Sequence, residues 1–242
     1  AEMKSIAIVN QKGGCGKTSL SVLVSLALAS TGKKVLAVDC DPQAGLTAFF
    51  TKSTLERSGV FDFLTSSNKT VEEVLMPISR DSLHVDLISA DYRLDAIASN
   101  LDPYIMQRKF KDINEYDVVV FDTPPTVQGI SRSAAMAADN VLIPADISEA
   151  TKGPTLYTLT SLEDIQKKGQ VVFIGYKDPK EDSHSFKSEL AREFMNAVKN
   201  HYCGTIPKTV GMEKAIADIN YKWTPQRKEK ILQPILEMVG LK

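Results

Sequence analysis

Six short apolar runs set the strongest limit on how this chain can fold. They are Ile6–Val9, Val35–Val38, Val85–Ile88, Val118–Phe121, Val141–Pro144 and Val171–Ile174, rich in β-branched residues and mostly apolar at consecutive positions. A strand that is apolar on both faces needs cover on both faces, and such strands belong to parallel sheets wrapped by helices. Helical stretches separate them: Ser19–Thr31, Ser131–Ala138, Thr155–Lys168, Ser185–Lys199 and Pro225–Val239. Gly32, Gly169, Gly204 and Gly240 fall where helix stops are expected. The expected fold is α/β: a doubly wound, mostly parallel sheet with helices on both faces. At 242 residues, without a repeat or linker, the chain reads as a single domain over 1–242. The segment from Thr51 to Asp81 gives no clear pattern.

The first strand runs into Lys12-Gly13-Gly14-Cys15-Gly16-Lys17-Thr18-Ser19, and a helix follows directly. Strand, glycine loop and helix are the context of a phosphate cradle. Glycines let successive backbone N–H groups curl round an anion without Cβ clashes. Lys17 then reaches the outer phosphates, and the Thr18 hydroxyl is placed to ligate Mg²⁺. The ordinary pattern opens on glycine at position 11, but here Gln11 stands there and a second lysine, Lys12, follows. A monomeric cradle already neutralises much of the triphosphate with Lys17 and Mg²⁺. A further ammonium is useful where charge develops in the transition state, as with a finger residue supplied in trans.

Two more strands end in carboxylates. Val38-Asp39-Cys40-Asp41-Pro42-Gln43 puts Asp39 and Asp41 at the carboxyl end of the second strand, facing the ligand crevice. Alternation on extended backbone lets both face the phosphates, one supporting the metal and one positioning water. Val118 to Asp122, followed by Thr123-Pro124-Pro125, has the form of a Walker B strand with Asp122 set to hold Mg²⁺ through its water shell. The Thr126–Ser131 segment suits a loop that responds to the γ-phosphate.

These motifs, in this order, make the chain resemble the ParA family of DNA-partition ATPases, which have a deviant Walker A loop. The resemblance runs from about Met3 to the C-terminus and includes Ala138–Pro144 and the Ile206-Pro207-Lys208 turn. With no helix-turn-helix region ahead of the P-loop, it is to the short form. It implies ATP and Mg²⁺ as cofactors and weak intrinsic ATPase activity. Lys12 corresponds to the signature lysine that reaches a partner's ATP in a sandwich homodimer. Lys17 corresponds to the phosphate-binding lysine and Asp41 to the water-activating aspartate. Thr18, Asp39 and Asp122 correspond to the metal site, and Pro207 and Met212 to adenine contacts. Lys208-Thr209 replaces the Arg-Asn found in many members. The family binds non-specific DNA as the ATP-bound dimer, and a centromere-binding ParB-like adaptor stimulates hydrolysis to move plasmid or chromosome cargo.

Net charge is −1 overall, but Lys187 to Lys230 holds nine Lys/Arg against five Asp/Glu, an excess of +4. Lys187, Arg192, Lys214, Lys222, Arg227 and Lys228, with Lys199 and Lys230, are the candidate DNA-backbone contacts. The C-terminal stripe Ile231, Leu232, Ile235, Leu236 and Val239 reads as core packing, and Pro234 breaks its helix. No stable membrane association is expected, although a MinD-like positioning ATPase would place such a helix on lipid. A metabolic ATP-dependent ligase of the dethiobiotin synthetase type is the other alternative. His84, His184 and His201 lack metal-ligand spacing. Three widely spaced cysteines and no signal peptide suit a reducing cytoplasm and free thiols, and the family resemblance implies association with the nucleoid.

Overall fold

The computed structural model describes residues 3–51, 58–175, 188–207, 209–218 and 220–240. One eight-stranded sheet organises them. Its strands are β1 (Lys4–Ile8), β2 (Val35–Asp39), β3 (Leu75–Arg80), β4 (Leu83–Ile88), β5 (Val118–Asp122), β6 (Asn140–Ala145), β7 (Gly169–Ile174) and β8 (Tyr202–Ile206). Their spatial order is β3-β4-β2-β5-β1-β6-β7-β8. All neighbours pair in parallel except β3 and β4. The doubly wound parallel sheet expected from the sequence is therefore the fold. Chain order reverses across β1, which pairs with β5 on one side and β6 on the other. Such a reversal opens a crevice at the carboxyl ends of the strands.

The helices are α1 (Lys17–Ala29), α2 (Gly45–Thr51), α3 (Val60–Thr65), α4 (Asp95–Ala98), α5 (Ile105–Phe110), α6 (Gly129–Ala137), α7 (Glu149–Glu163), α8 (Glu189–Val198), α9 (Val210–Ala217), α10 (Pro225–Arg227) and α11 (Gln233–Val239). They form two layers. Phe63, Phe110, Ala134, Leu159 and Phe194 carry α3 and α5 to α8 onto one face of the sheet. Leu20, Leu46, Met212, Trp223, Ile231 and Ile235 carry α1, α2 and the C-terminal helices onto the other. Helix α1 is apolar nearly all round because it lies between the sheet and the C-terminal helices.

Five of the six apolar runs lie wholly in strands and Ile6–Val9 passes the end of β1 by one residue, whereas β3 and β8 carry no such run. Strand β3 is an edge, with a polar and half-exposed face. Helix bounds differ from those expected. Helix α7 begins at Glu149, ahead of the expected Thr155, and carries Pro154 inside it. Burial of Thr151, Thr155 and Thr158 outweighs the one backbone bond that proline removes. Gly169 is not a helix stop. Gln166 turns the chain at φ 58, and Gly169 opens β7. A Cβ at Gly169 would come within 2.5 Å of Ile143 Cδ1 and 2.9 Å of both Leu159 and Leu162. Gly204 likewise lies inside β8, against Met238. Pro234 does not end the C-terminal helix. A π-turn over Lys228–Leu232 precedes it and removes the need for its N–H. Ile231, Leu232, Ile235 and Leu236 are buried in the core beside α1.

Candidate functional site

The loop between β1 and α1 holds the expected cradle geometry. Gly14 and Gly16 have φ of 73° and 95°, left-handed values that admit glycine with little strain. Helix α1 has no side-chain cap at Gly16, so its first N–H groups face the crevice with the positive end of the helix. A Cβ at Gly16 would touch Ile174 at 3.4 Å, and one at Gly13 would lie 3.9 Å from Pro125. The loop is thus walled by the ends of β7 and β5.

Lys17 is nearly buried, and its Nζ donates to the Lys12 carbonyl at 2.7 Å. The Cys15 thiol donates to the same oxygen at 3.1 Å. Burial pushes that thiol's pKa up, against the pull of Lys17. Cys40 is buried and pushed up further, first by desolvation and then by Asp39 and Asp122. Both are buried, neutral fillers, Cys15 within the loop and Cys40 directly after β2. Lys12 is half-buried at the start of the loop.

Thr18 Oγ1 donates to Asp122 at 2.9 Å, and Ser21 Oγ donates to the other oxygen of Asp122 at 2.8 Å. Ser21 had no motif to reveal it. The Thr18 hydroxyl keeps its lone pairs for an incoming cation, oriented by a carboxylate behind it. Asp39 is the direct strand neighbour of Asp122. It is fully buried and accepts from Thr47 N at 2.8 Å, Thr47 Oγ1 at 2.7 Å and Asp41 N at 3.1 Å. Three protein donors therefore hold it in a supporting position. Sequence alternation alone put it at the phosphates, and the buried β2–α2 corner turns it inward. Asp41 is half-buried, and its Oδ1 accepts from Gln43 N at 2.9 Å. Burial raises both Asp39, to about 7, and Asp122, to about 6; the mutual charge adds to the rise of Asp39, and Asp41 to that of Asp122. A divalent cation in front of Thr18 would reverse that penalty. Free α1 N–H groups, a buried lysine and a hydroxyl backed by a carboxylate form a donor set that fits Mg·ATP.

Pro207 and Met212 line a small cavity of about 100 Å³ with Thr205, Thr209, Lys230 and Ile235. Ile174 connects this cavity to the cradle, since it packs on Gly16 and pairs with Ile206. Ser19 is half-buried in the first turn of α1. Among the described residues, no group of three or more His, Cys, Asp or Glu could hold a metal by itself.

Among the described residues, the candidate DNA-backbone contacts divide between the two faces of the sheet. Arg192 lies in α8 and Lys199 is its C-cap, on one side of the sheet. Lys214, Lys222, Arg227, Lys228 and Lys230 belong to the C-terminal layer on the other. Lys187 and Lys208 lie outside the described residues. Lys222 sits 3.7 Å from Asp81, and Lys228 Nζ donates to Ser82 Oγ at 2.9 Å. Arg227 donates to the Lys222 carbonyl at 2.7 Å and lies over Tyr221. Trp223 is buried against Tyr221 and is a core aromatic.

The AAA domain family matches residues 3–171. A ParA family protein of Chlamydia trachomatis is 35% identical over 173 residues, covering 66% of this chain and 63% of that protein. The chromosome-partitioning ATPase Soj of Thermus thermophilus is 29% identical over 171 residues, covering 69% and 64%. The chain thus spans slightly less than two thirds of these two relatives. Among solved structures, a plasmid partition protein of Borrelia burgdorferi bound to AMPPNP superposes with a TM-score of 0.78 at 18% identity, over 99% of each chain. Cobyrinic acid a,c-diamide synthase of Mycobacterium smegmatis with ADP and magnesium superposes with a TM-score of 0.72 at 21% identity, over 99% and 96%. The fold is shared across both, and a synthase stands among its bearers. With the family match across most of the chain and the Lys12 form of the loop, the protein belongs to the ParA family of AAA-type P-loop ATPases.

Proposed function

We propose that this chain is a partition ATPase that uses Mg·ATP to join two copies face to face, and that it acts as one domain over 1–242. The observation that carries the proposal is Lys12. Lys17, the α1 N-terminus and the Thr18–Asp122 pair already supply what one cradle needs, and Lys12, half-buried at the start of the loop, is an additional ammonium. Its role in a partner's site follows from that surplus and from the family resemblance.

In this reading Lys17 leaves the Lys12 carbonyl and takes up the outer phosphates. Bound Mg²⁺ would supply charge neutralisation across the phosphates. Asp122 orients the Thr18 hydroxyl towards that ion, and Asp39 supports Asp122 from the next strand. Asp41 orients the attacking water, and Lys12 stabilises charge in the partner's transition state. Gly13, Gly14, Cys15, Gly16 and Ser19 contribute the backbone of the cradle, and Pro207 and Met212 the wall for the base. The dimer binds DNA non-specifically at the nucleoid, and a ParB-like adaptor stimulates turnover. Since the basic residues divide between two layers, the C-terminal set of Lys214, Lys222, Arg227 and Lys228 is the favoured DNA face, with Arg192 apart from it.

Turnover with Mg²⁺ and DNA in Lys12→Ala and Asp41→Ala tests the mechanism. Both variants should lose stimulated hydrolysis, and wild-type rates in both would sink it. A gel shift that needs ATP and weakens steeply with salt is expected for the wild type. The absence of a shift at low salt, with ATP-bound dimer present, counts against the DNA role and favours a synthase-type activity on the shared fold.

A further inference from the structure

Asn10 lies at the end of β1, fully buried, and no motif assigns it a task. Its side-chain amide is almost saturated. Nδ2 donates to the Pro144 carbonyl of β6 at 2.9 Å and to Thr155 Oγ1 of α7 at 3.1 Å. Oδ1 accepts from the Lys12 N–H at 3.0 Å. The neighbouring Gln11 N–H donates to Thr158 Oγ1, again on α7, at 3.2 Å. A hydroxyl has one hydrogen, and that of Thr158 goes to the Pro154 carbonyl at 2.8 Å rather than to Asn10 at 3.4 Å. Thr158 is thereby oriented to accept. The buried threonine face of α7 and the backbone of β6 hold the two amides that lead into the Lys12 side chain.

We propose that Asn10, seated by Thr155 and backed by Thr158, is a positioning residue for Lys12, one that governs the step between two copies rather than nucleotide capture by one. The inference rests on the role given to Lys12 above. Lys12 is held from two sides. Its carbonyl takes Lys17 and Cys15, its N–H takes Asn10. When Lys17 leaves for a phosphate, the carbonyl side loosens and the Asn10 side remains. Asparagine is the side chain that can do this, since the joint requires two donors and one acceptor at a single planar group. An ionised aspartate in its place would lose both donors, and alanine would leave the Lys12 N–H, the Pro144 carbonyl and Thr155 without their partner. Misplacing a reacting group by about 1 Å can cost on the order of 10²-fold in rate.

The test uses Asn10→Ala and the milder Thr158→Val, each alone and combined with Lys12→Ala. Three quantities are read: amide hydrogen exchange at Gln11 and Lys12 without nucleotide, affinity for a fluorescent ADP, and ATP-dependent dimerisation with turnover. Exchange at these two amides should rise about tenfold or more in Asn10→Ala, and Thr158→Val should raise it at Gln11. ADP affinity should stay within about twofold, whereas dimerisation and turnover fall about tenfold or more. In the Lys12→Ala background the Asn10 change should add nothing to the turnover defect. Loss of ADP affinity in step with turnover, additive defects, or unchanged exchange overturns the inference. If Lys12→Ala itself dimerises and turns over like the wild type, the reading beneath it falls too.

Discussion

Replacing Asp122 with asparagine should strengthen the ligand-free fold while removing its use of Mg·ATP. The carboxylate is fully buried beside Asp39 on the adjoining strand, and burial lifts its pKa from 3.8 to about 6. A rise of that order disfavours the ionised form by a few kcal/mol, at about 1.4 kcal/mol per tenfold change in the ionisation equilibrium. Asparagine keeps the shape and one acceptor, and Ser21 has the Lys17 carbonyl at 3.0 Å as an alternative partner. We expect Asp122→Asn to be about 1–3 kcal/mol more stable than wild type at pH 7.5, or about 2–12 °C in Tm for a chain of this size. The sign follows from proton linkage. A carboxyl whose pKa is raised in the fold holds a proton that the unfolded chain releases. Wild-type stability therefore falls as pH rises from about 4 to about 7, the window set by Asp122 and Asp39. Urea unfolding at pH 7.5 and pH 4.5 measures both arms, and the advantage of Asp122→Asn should shrink towards zero at pH 4.5. At pH 7.5 the same variant should no longer gain melting temperature from ATP with Mg²⁺. A variant less stable than wild type at pH 7.5, or an advantage independent of pH, refutes the reasoning.

Gly129→Ala tests the other side of the crevice: a Cβ there would lie 1.8 Å from the Ala98 carbonyl, at φ 54, and both obstacles are backbone. Loss of at least about 2 kcal/mol in urea unfolding is expected, and a wild-type midpoint would mean that α4 and α6 part easily. Thiol titration should find Cys15 and Cys40 slow in native protein and fast in denaturant, since both are buried and pushed towards the neutral thiol. Rapid native labelling of Cys15 would show that the loop opens without nucleotide.

The sheet was legible because its central strands are apolar on both faces, and that pattern survives any detail of packing. Strand β3 was hidden by its edge position, where half-exposed Met76 and exposed Ser79 carry no periodic signal. The cradle was legible because glycines, lysine and threonine must follow one another in the chain for the loop to form. What surrounds it comes from distant segments. Ser21 and Thr47, which hold the two buried aspartates, look like ordinary helix residues until β2 and β5 are side by side. The anchoring of Asn10 to α7 spans 145 positions and has no local trace. The basic residues divide for a related reason: nearness in sequence does not survive a crossover that sends α8 and α9 to opposite faces.

Everything proposed for turnover depends on two copies completing each other's sites through Lys12. Light scattering on protein carrying Asp41→Ala, which slows hydrolysis in this reading, measures that directly with Mg²⁺ and either ATP or ADP. The expected result is twice the monomer mass with ATP, the monomer mass with ADP, and the monomer mass with both nucleotides once Lys12→Ala is added. A monomer at saturating ATP, or a dimer that forms equally well without Lys12, contradicts it.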